Sequence, residues 1–302
     1  MSAQEPGPLA RPTSRVDTNI EPSGPSGGDE VTPPQATTPP PPPPPVRRRV
    51  DNICFVASAA PLAQAALVEL CQLHRSVGPE EADVIVALGG DGFMLETMHR
   101  FLRTGRPFFG MNRGNVGFLM NEFRTEGLFD RVMRAERATL YPLAMTARSE
   151  NGTTVEALAI NEVSLLRQSR QAATIRISVN NVVRLPELVC DGLMLATPAG
   201  STAYNLSANG PIVPLRAPLL ALTPVSPFRP RGWRGALLPS NVEIKLEVLE
   251  RWKRPVSAVA DQVEVRNVVD VDIREDPSMG IELLSDPHRD FHERILVEQF
   301  SS

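Results

Sequence analysis

A short stretch in the first half of the chain, Gly89-Gly90-Asp91-Gly92, has the residue types needed to bind a phosphate and to move a proton. It follows the apolar run of residues 84–88 and precedes a segment, from Phe93 onward, whose apolar residues recur at spacings of three and four. This order predicts a buried parallel strand, a glycine turn and a helix, and ligands of such sheets bind just beyond the carboxyl ends of the strands. The glycines would let the backbone approach a ligand and adopt positive φ angles, and amides at the start of the helix would suit a phosphate.

Asp91 decides which chemistry this stretch predicts. A carboxylate beside a phosphate is electrostatically unfavourable unless it binds a metal ion or takes a proton from an attacking hydroxyl group. The combination therefore indicates phosphoryl transfer. Taken alone, the stretch is also consistent with a tight turn in which Asp91 caps the helix. Two nucleotide-binding motifs fit less well, because the glycines do not follow G-x-G-x-x-G and no Lys-Ser/Thr pair makes a P-loop.

Three later stretches carry polar residues that suit a dinucleotide. Asn161 can offer its amide to an adenine edge, and Glu162 can accept hydrogen bonds from ribose hydroxyls. Asp191 can accept from a second ribose or a carboxamide, while Tyr204 supplies a flat apolar surface with a polar tip. Gly200-Ser201-Thr202 offers hydroxyls and exposed backbone amides. Each stretch also has an ordinary alternative: a turn with a solvated carboxylate, a strand-end turn or a helix N-cap.

The elements around Asp91 predict a parallel sheet covered by helices. Strands are expected at residues 52–58, 84–88 and near 107–110, with helices between them. The first helix should span residues 61–75, with a buried stripe of Leu62, Ala66, Leu70 and Leu73. A glycine-containing loop, residues 110–119, should then lie beside the glycine turn.

From about Leu143 the apolar residues alternate with polar ones, which predicts antiparallel β structure. Residues 174–179 alternate in this way, and Asn180-Asn181 follows where a hairpin turn would lie. The alternation recurs in residues 242–248 and 269–273. The predicted fold class is therefore an N-terminal α/β domain with a parallel sheet, followed by a mainly antiparallel β domain.

The domain boundaries follow from these changes in pattern. Residues 1–48 contain nearly half of the prolines and few large apolar side chains, so they are expected to form a disordered Pro-rich tail. Residues 49–142 should form the α/β domain and residues 143–284 the β-rich domain. The last segment, residues 285–302, is helical in character and is expected to pack back on the first domain.

Composition and charge argue against several other classes of protein. The net charge of −4 and the lack of a basic stripe do not favour nucleic acid as a partner. No apolar run is long enough to cross a membrane, and the N-terminus lacks the profile of a signal peptide. The three cysteines, Cys54, Cys71 and Cys190, have no metal-like spacing, which is typical of reduced thiols in a cytoplasmic protein.

Four sequence blocks resemble those of the bacterial NAD kinases. They are Gly89-Gly90-Asp91-Gly92, the G-x-N-x-G-x-x-G-F-L loop of residues 110–119, Asn161-Glu162, and residues 191–205, DGLMLATPAGSTAYN. Their order and spacing also fit, over roughly residues 82–239. The first block alone is shared with the diacylglycerol and sphingosine kinases, whereas the last, with its G-S-T-A-Y run, is much more specific.

The resemblance implies a two-domain NAD kinase that phosphorylates the 2′-hydroxyl of the adenosine ribose of NAD to give NADP. It implies that Asp91 is the general base, and that ATP or inorganic polyphosphate donates the phosphoryl group with Mg²⁺ or another divalent metal present. Gly89, Gly90 and Gly92 would contact the phosphates. NAD contacts, mainly from the β-rich domain, are implied for Asn161, Glu162, Asp191, Ala199, Thr202, Ala203, Tyr204, Asn205 and Ser207. A homo-oligomer, a dimer or a tetramer, is also implied.

Two alternatives stay open at this point. A lipid kinase of the same superfamily would need an acyl pocket and access to a membrane surface, and no amphipathic membrane-binding stretch supports it. A non-catalytic sensor of NAD or NADP would bind the dinucleotide without turning it over. The chain also departs from the family pattern, with Ala199 where many members carry Thr or Ser and Asp261-Gln262 where Asp-Gly is common.

Overall fold

The computed structural model describes residues 49–114 and 117–287, together with residues 293, 294, 297 and 300. The predicted disordered tail, residues 1–48, lies outside the described residues, and so does most of the helix predicted after residue 285. Within the described part, no helix combines the length and the apolar character needed to span a membrane.

In the first half of the chain, strands and helices alternate as the hydrophobic pattern predicts. The elements are β1 (Ile53–Ala57), α1 (Pro61–Leu73), β2 (Val84–Gly89), α2 (Asp91–Phe101), a 3-10 turn (Leu102–Thr104), β3 (Phe108–Asn112), α3 (Leu128–Arg134) and β4 (Glu136–Leu140). β1, β2 and β3 pair in parallel. Every residue of β2 is buried, as expected for an interior strand of a sheet covered on both faces. The predicted parallel sheet with helices is confirmed.

The second half consists almost entirely of β-strands. They are β5 (Leu143–Ser149), β6 (Thr154–Ala159), β7 (Glu162–Arg167), β8 (Ala173–Val179), β9 (Val182–Cys190), β10 (Gly192–Ala196), β11 (Leu219–Val225), β12 (Ala236–Pro239), β13 (Ile244–Val248), β14 (Val256–Ala260), β15 (Val263–Val265), β16 (Val268–Glu275) and β17 (Ile281–Ser285). A 3-10 turn (Gly200–Thr202) and the short helix α4 (Tyr204–Ser207) follow β10.

Two antiparallel sheets account for most of these strands, so the predicted antiparallel β region is confirmed. Their strand orders are β12-β11-β10-β7-β14-β15 and β6-β5-β16-β13-β8-β9. Both sheets contribute apolar side chains to one shared core, for example Leu165 and Leu195 from the first and Ile175 and Leu246 from the second. The alternating pattern arises because one face of each strand points into this core.

β17 leaves the antiparallel region and joins the first sheet, whose order is β1-β2-β3-β17-β4. It pairs in parallel with β3, where Leu283 lies opposite Phe108, and antiparallel with β4. The sequence pattern predicts that residues 281–284 belong to the β-rich domain, whereas their hydrogen-bond partners lie in the α/β sheet. The predicted domain boundaries themselves stay a prediction.

Two local predictions have different outcomes. The predicted buried stripe of α1 is wrong at its ends, since Ala63, Ala66 and Leu70 are buried while Leu62 and Leu73 are 67% and 58% exposed. The helix is rotated because the small side chain of Ala63 packs on the sheet, and Leu62 lies about 100° away around the helix axis.

The predicted hairpin turn is confirmed. Asn180 and Asn181 have φ angles of 50° and 62°, and Val179 pairs with Val182 across them. Farther along, a bulge in β16 shifts the register, so Val268 rather than Val269 is buried there.

Candidate active site

The stretch Gly89-Gly90-Asp91-Gly92 joins β2 directly to α2. Gly89 ends the strand, Gly90 is extended with φ −114°, and Asp91 is the first residue of the helix. The predicted glycine turn with positive φ is wrong, since none of these three glycines has a positive φ and one extended residue suffices for the connection. A Cβ at Gly89 would lie 2.9 Å from Phe93, whereas nothing lies within 4 Å of one at Gly90 or Gly92. Space is therefore left beside the Cα atoms of Gly90 and Gly92, at a helix start whose first amides suit an anion.

Asp91 is held by the loop that follows β3. The N–H of Phe118 donates to Asp91 Oδ2 at 2.6 Å, and the N–H of Leu119 donates to Oδ1 at 3.0 Å. Gly117 permits this approach, because a Cβ there would overlap Asp91 Oδ1. Burial raises the pKa of Asp91 above its ordinary value, although the two amides and the positive charge of Arg294 oppose the increase. A carboxylate with a raised pKa is a stronger proton acceptor, as a general base requires.

A second carboxylate, Asp261, organises the turn that carries Asn161 and Glu162. Its side chain has no exposed surface and accepts hydrogen bonds from the N–H groups of Ile160 (2.6 Å), Asn161 (3.1 Å) and Glu162 (3.2 Å). His99, in the last turn of α2, donates from Nε2 to Asp261 Oδ2 at 2.7 Å. Asp261 therefore ties the helix of Asp91 to the start of β7.

Asn161 and Glu162 retain buried polar atoms that need a partner. Among the described residues, neither Asn161 Oδ1 nor Glu162 Oε2 has a hydrogen-bond partner. Burial, and secondarily the charge of Asp261, raises the pKa of Glu162 to about 7. Buried polar atoms in folded proteins are normally hydrogen-bonded, so these two atoms are suited to bind a polar ligand.

The loop after β10 packs against this turn. Thr197 Oγ1 donates to the carbonyl of Ile160 at 2.7 Å and accepts from the N–H of Gly200 at 3.1 Å. The N–H of Thr197 donates to the carbonyl of Asn161 at 2.9 Å. A Cβ at Gly200 would overlap that same carbonyl oxygen, so only glycine allows the two loops to meet this closely.

Ser201 and Asn205 are fully buried and use their polar groups within the protein. Ser201 Oγ accepts from the N–H of Val213 at 2.9 Å. Asn205 Nδ2 donates to the carbonyls of Ser201 and Pro211 at 3.0 and 2.9 Å, and Asn205 Oδ1 accepts from Thr223 Oγ1 at 2.6 Å. Asn205 therefore stabilises the loop, and its predicted contact with NAD stays a prediction.

The other predicted residues of this loop differ in exposure. Tyr204 is 38% exposed and Ser207 is exposed, whereas Thr202 and Ala203 are half-buried and Ala199 is buried. Thr202 Oγ1 donates to the carbonyl of Ala199 at 3.3 Å. The ring of Tyr204 thus remains accessible to a flat ligand.

Asp191 lies away from this group of residues. β10 pairs antiparallel with β7 so that Ala196 is opposite Glu162, and Asp191 precedes the other end of the strand. A five-residue strand is about 16 Å long. Asp191 forms an ion pair with Arg167, 2.6 Å from Nε to Oδ1, at that far end. Within this chain, Asp191 is not brought together with Asn161 and Glu162.

An apolar cluster joins α2 to the two loops. Its buried members include Met94, Met98, Leu119, Ile160 and Ala199. Asp91 and His99 stand at the two ends of the same helix, about 12 Å apart along its axis. The apolar cluster packs the helix of Asp91 against the turn at Asn161 and the loop at Gly200.

Nothing in the local sequence predicts a role for Asp261 or His99. Asp261 belongs to an Asp-Gln pair that departs from the family pattern, and His99 is an isolated histidine on a helix. They are 162 residues apart in the chain, so no spacing motif connects them. The one local signal is that Asp261 occupies a turn position, with φ 47°, between β14 and β15.

Two family models match the chain. The ATP-NAD kinase N-terminal domain matches residues 62–135, which include Asp91. The ATP-NAD kinase C-terminal domain matches residues 160–272, which include Asn161, Glu162 and Asp261.

Full-length relatives and solved structures agree with these matches. The NAD kinase of Rhizobium meliloti (strain 1021) is 56% identical over 255 residues, which cover 84% of this chain and 99% of that protein. The NAD kinase of Brucella suis biovar 1 (strain 1330) is 58% identical over 246 residues, which cover 82% of this chain and 96% of that protein.

Among solved structures, yeast NADH kinase complexed with NADH aligns with a TM-score of 0.74 at 23% identity, covering 85% of this chain and 89% of that one. An NAD kinase from Archaeoglobus fulgidus in complex with ATP aligns with a TM-score of 0.62 at 23% identity, and the alignment covers 81% of this chain and 98% of that one. At such identity these structures show a shared fold alone. With the family models and the full-length relatives, the conclusion is that the chain belongs to the NAD kinase family.

Proposed function

We propose that the chain transfers a phosphoryl group from ATP to the 2′-hydroxyl of the adenosine ribose of NAD, which gives NADP. As a member of the NAD kinase family, it is a phosphotransferase with an alcohol group as acceptor. The observation that carries the proposal is the position of Asp91 at the start of α2, a helix that packs against the turn in which Asn161 and Glu162 keep unpartnered buried polar atoms.

In the proposed step, Asp91 removes the proton from the 2′-hydroxyl as its oxygen attacks the γ-phosphorus of ATP. The bond between that phosphorus and the β,γ-bridging oxygen breaks, so ADP leaves and the proton remains on Asp91 until it passes to solvent. The amides at the start of α2, around Gly90 and Gly92, bind the phosphates because the positive end of the helix dipole lies there. Catalysis in such a step comes mainly from positioning and charge stabilisation.

On the acceptor side, we assign the adenosine of NAD to the turn at Asn161 and Glu162. Asn161 offers its amide to the adenine edge, and ionised Glu162 accepts a hydrogen bond from a ribose hydroxyl. Tyr204 packs against a flat part of the dinucleotide. Ala199, Thr202, Ala203 and Ser207 lie on the same loop and complete the proposed NAD contacts, and Asp191 and Asn205 are retained as further contacts implied by the family resemblance.

The phosphoryl donor requires a divalent metal, which we treat as part of the substrate. Mg²⁺ is usually held by substrate phosphates together with one or two carboxylates. Among the described residues, no group of three or more His, Cys, Asp or Glu side chains is placed to hold a metal ion. When bound with ATP, the metal neutralises the phosphate charge. We propose inorganic polyphosphate as a second phosphoryl donor. We also propose that the protein forms a homo-oligomer, which sedimentation velocity would test.

The test is to incubate the purified protein with NAD, Mg²⁺ and ATP, and to detect NADP with a dehydrogenase that accepts only NADP. Asp91→Asn should lower the rate by about 10²- to 10⁴-fold, the usual contribution of a positioned base. Its affinity for NAD, measured by calorimetry, should stay near the parental value. Asp130→Asn is the matched control, since Asp130 is also in the first turn of a helix but is exposed on α3.

Each other outcome counts against the proposal. Parental activity in Asp91→Asn would exclude Asp91 as the base. NAD binding without NADP formation, from either ATP or polyphosphate, would favour a sensor. The absence of both turnover and NAD binding would reopen the possibility of a lipid kinase.

A further inference from the structure

Arg294, in the described part of the C-terminal segment, contacts the loop that holds Asp91. Its Nη1 donates to the carbonyl of Phe118 at 2.7 Å, and its Nη2 donates to Asn121 Oδ1 at 2.7 Å. Its positive charge also acts on Asp91 and favours the ionised carboxylate. Arg294 therefore lies beside the loop that holds the candidate base.

The peptide group between Phe118 and Leu119 links the two charges. Its carbonyl accepts from Arg294 at 2.7 Å, and its N–H, which belongs to Leu119, donates to Asp91 Oδ1 at 3.0 Å. Hydrogen bonds in such a chain polarise one another, so a cation on the carbonyl strengthens the bond that the N–H makes. Arg294 and Asp91 are thus coupled through a single peptide group.

Asn121 fixes the position of Arg294. This side chain is 1% exposed, and its Nδ2 donates to the carbonyls of Gly110 and Leu284 at 3.0 and 3.1 Å. Its Oδ1 accepts from the N–H of Asp286 at 3.0 Å as well as from Arg294. The guanidinium is therefore anchored to β3 and β17, two neighbouring strands of the first sheet.

We propose that Arg294 is a positioning residue for phosphoryl transfer, which aims the Phe118–Leu119 peptide at Asp91 and holds a positive charge on the other side of that peptide. The inference rests on the proposed function, in which Asp91 is the general base. Burial disfavours the ionised form of Asp91. Among the described residues, Arg294 is the charged side chain whose positive charge favours that ionised form. The loop residues 117–119 carry no titratable side chain. His99 lies about 12 Å farther along α2.

The experiment compares the pH dependence of turnover in the full-length protein and in two variants. Arg294→Gln removes the charge, so kcat at pH 7 should fall by about ten- to a hundredfold, as expected for loss of one hydrogen bond from a charged group. The acid limb of the kcat profile should move to higher pH, because the ionised form of Asp91 loses its cation. KM for NAD should stay within about threefold of the parental value, since Arg294 contacts neither Asn161 nor Glu162 in this scheme.

Arg294→Lys and Arg131→Gln separate positioning from folding. Arg294→Lys keeps the charge but loses the planar fork, so it should keep the acid limb near its parental pH with a reduced kcat. Arg131 also braces the C-terminal segment, with Nη2 2.6 Å from Asp286 Oδ2, but it does not contact the Phe118–Leu119 peptide. Arg131→Gln should lower the melting temperature without moving the acid limb.

An unchanged acid limb or an unchanged kcat in Arg294→Gln would overturn the inference. If Arg294→Gln does not fold, parental kcat in Arg294→Lys would overturn it instead. Asp91→Asn distinguishes failure of the proposed function from failure of the proposed role of Arg294. If that variant is active, the proposed function fails; if it is inactive while Arg294→Gln is parental, only the role of Arg294 fails.

Discussion

The raised pKa of Glu162 predicts that NAD binds more tightly as the pH increases from 6 to 8. Burial, assisted by the charge of Asp261, raises the pKa of Glu162 to about 7, whereas an ordinary Glu titrates at about 4.3. The proposed acceptor role requires the ionised form. About a tenth of the sites are ionised one pH unit below the pKa and about nine tenths one unit above it.

The expected magnitude follows from these fractions. When only the competent form binds, the apparent Kd is the intrinsic Kd divided by the competent fraction. The apparent Kd of NAD at pH 6 should therefore be about tenfold higher than at pH 8, which corresponds to about 1.4 kcal/mol. Glu162→Gln cannot titrate, so its Kd should be constant across this range.

Calorimetry with NAD alone, without a phosphoryl donor, measures this dependence at pH 6, 7 and 8. Asp91 also has a raised pKa, so the series is repeated in Asp91→Asn, where the tenfold change should persist. Glu156→Gln, which changes an exposed glutamate on β6, serves as the matched control. The reasoning would be refuted by the same pH dependence in Glu162→Gln, or by affinity that weakens as the pH increases.

Three further predictions concern the proposed base, Asp91, and three glycines of the loops near it and near Asn161. The midpoint pH of the acid limb of the kcat profile should lie above the ordinary Asp pKa of about 3.9, because burial raises the pKa of Asp91 and a base must be ionised to act. A profile of kcat from pH 4 to 8 measures this midpoint. Gly117→Ala should lower kcat at least about tenfold, because its Cβ would overlap Asp91 Oδ1, whereas Gly114→Ala, whose Cβ would lie 3.6 Å from the nearest atom, should retain activity. Gly200→Ala should raise the Kd for NAD at least about tenfold in calorimetry, because its Cβ would overlap the carbonyl of Asn161; unchanged affinity would contradict the assigned NAD site.

Several features of the site were predictable from local sequence. The apolar run of β2 followed by glycines and a helical period placed Asp91 at a strand-to-helix junction, and the structure agrees. Asn180-Asn181 predicted a two-residue hairpin because asparagine tolerates positive φ, and both residues adopt it. In each case the determining interactions lie within a few residues, so periodicity and turn chemistry suffice.

Other features depended on which distant segments meet. Asp261 binds amides about 100 residues earlier in the chain, and Arg294 reaches a carbonyl 176 residues earlier. The exposed ends of α1 show the same limit, since Leu62 fits the helical period but packing turns it to solvent.

The sequence by itself therefore determined the fold class and identified Asp91 as the candidate base and the candidate dinucleotide residues, because residue type, short-range spacing and the resemblance to a known family carry that information. Only the tertiary structure decided that Asp261 and His99 join α2 to the turn at Asn161, and that Arg294 shares a peptide group with Asp91. The physical reason is that these contacts depend on sheet order and helix packing across long loops, which no local propensity encodes.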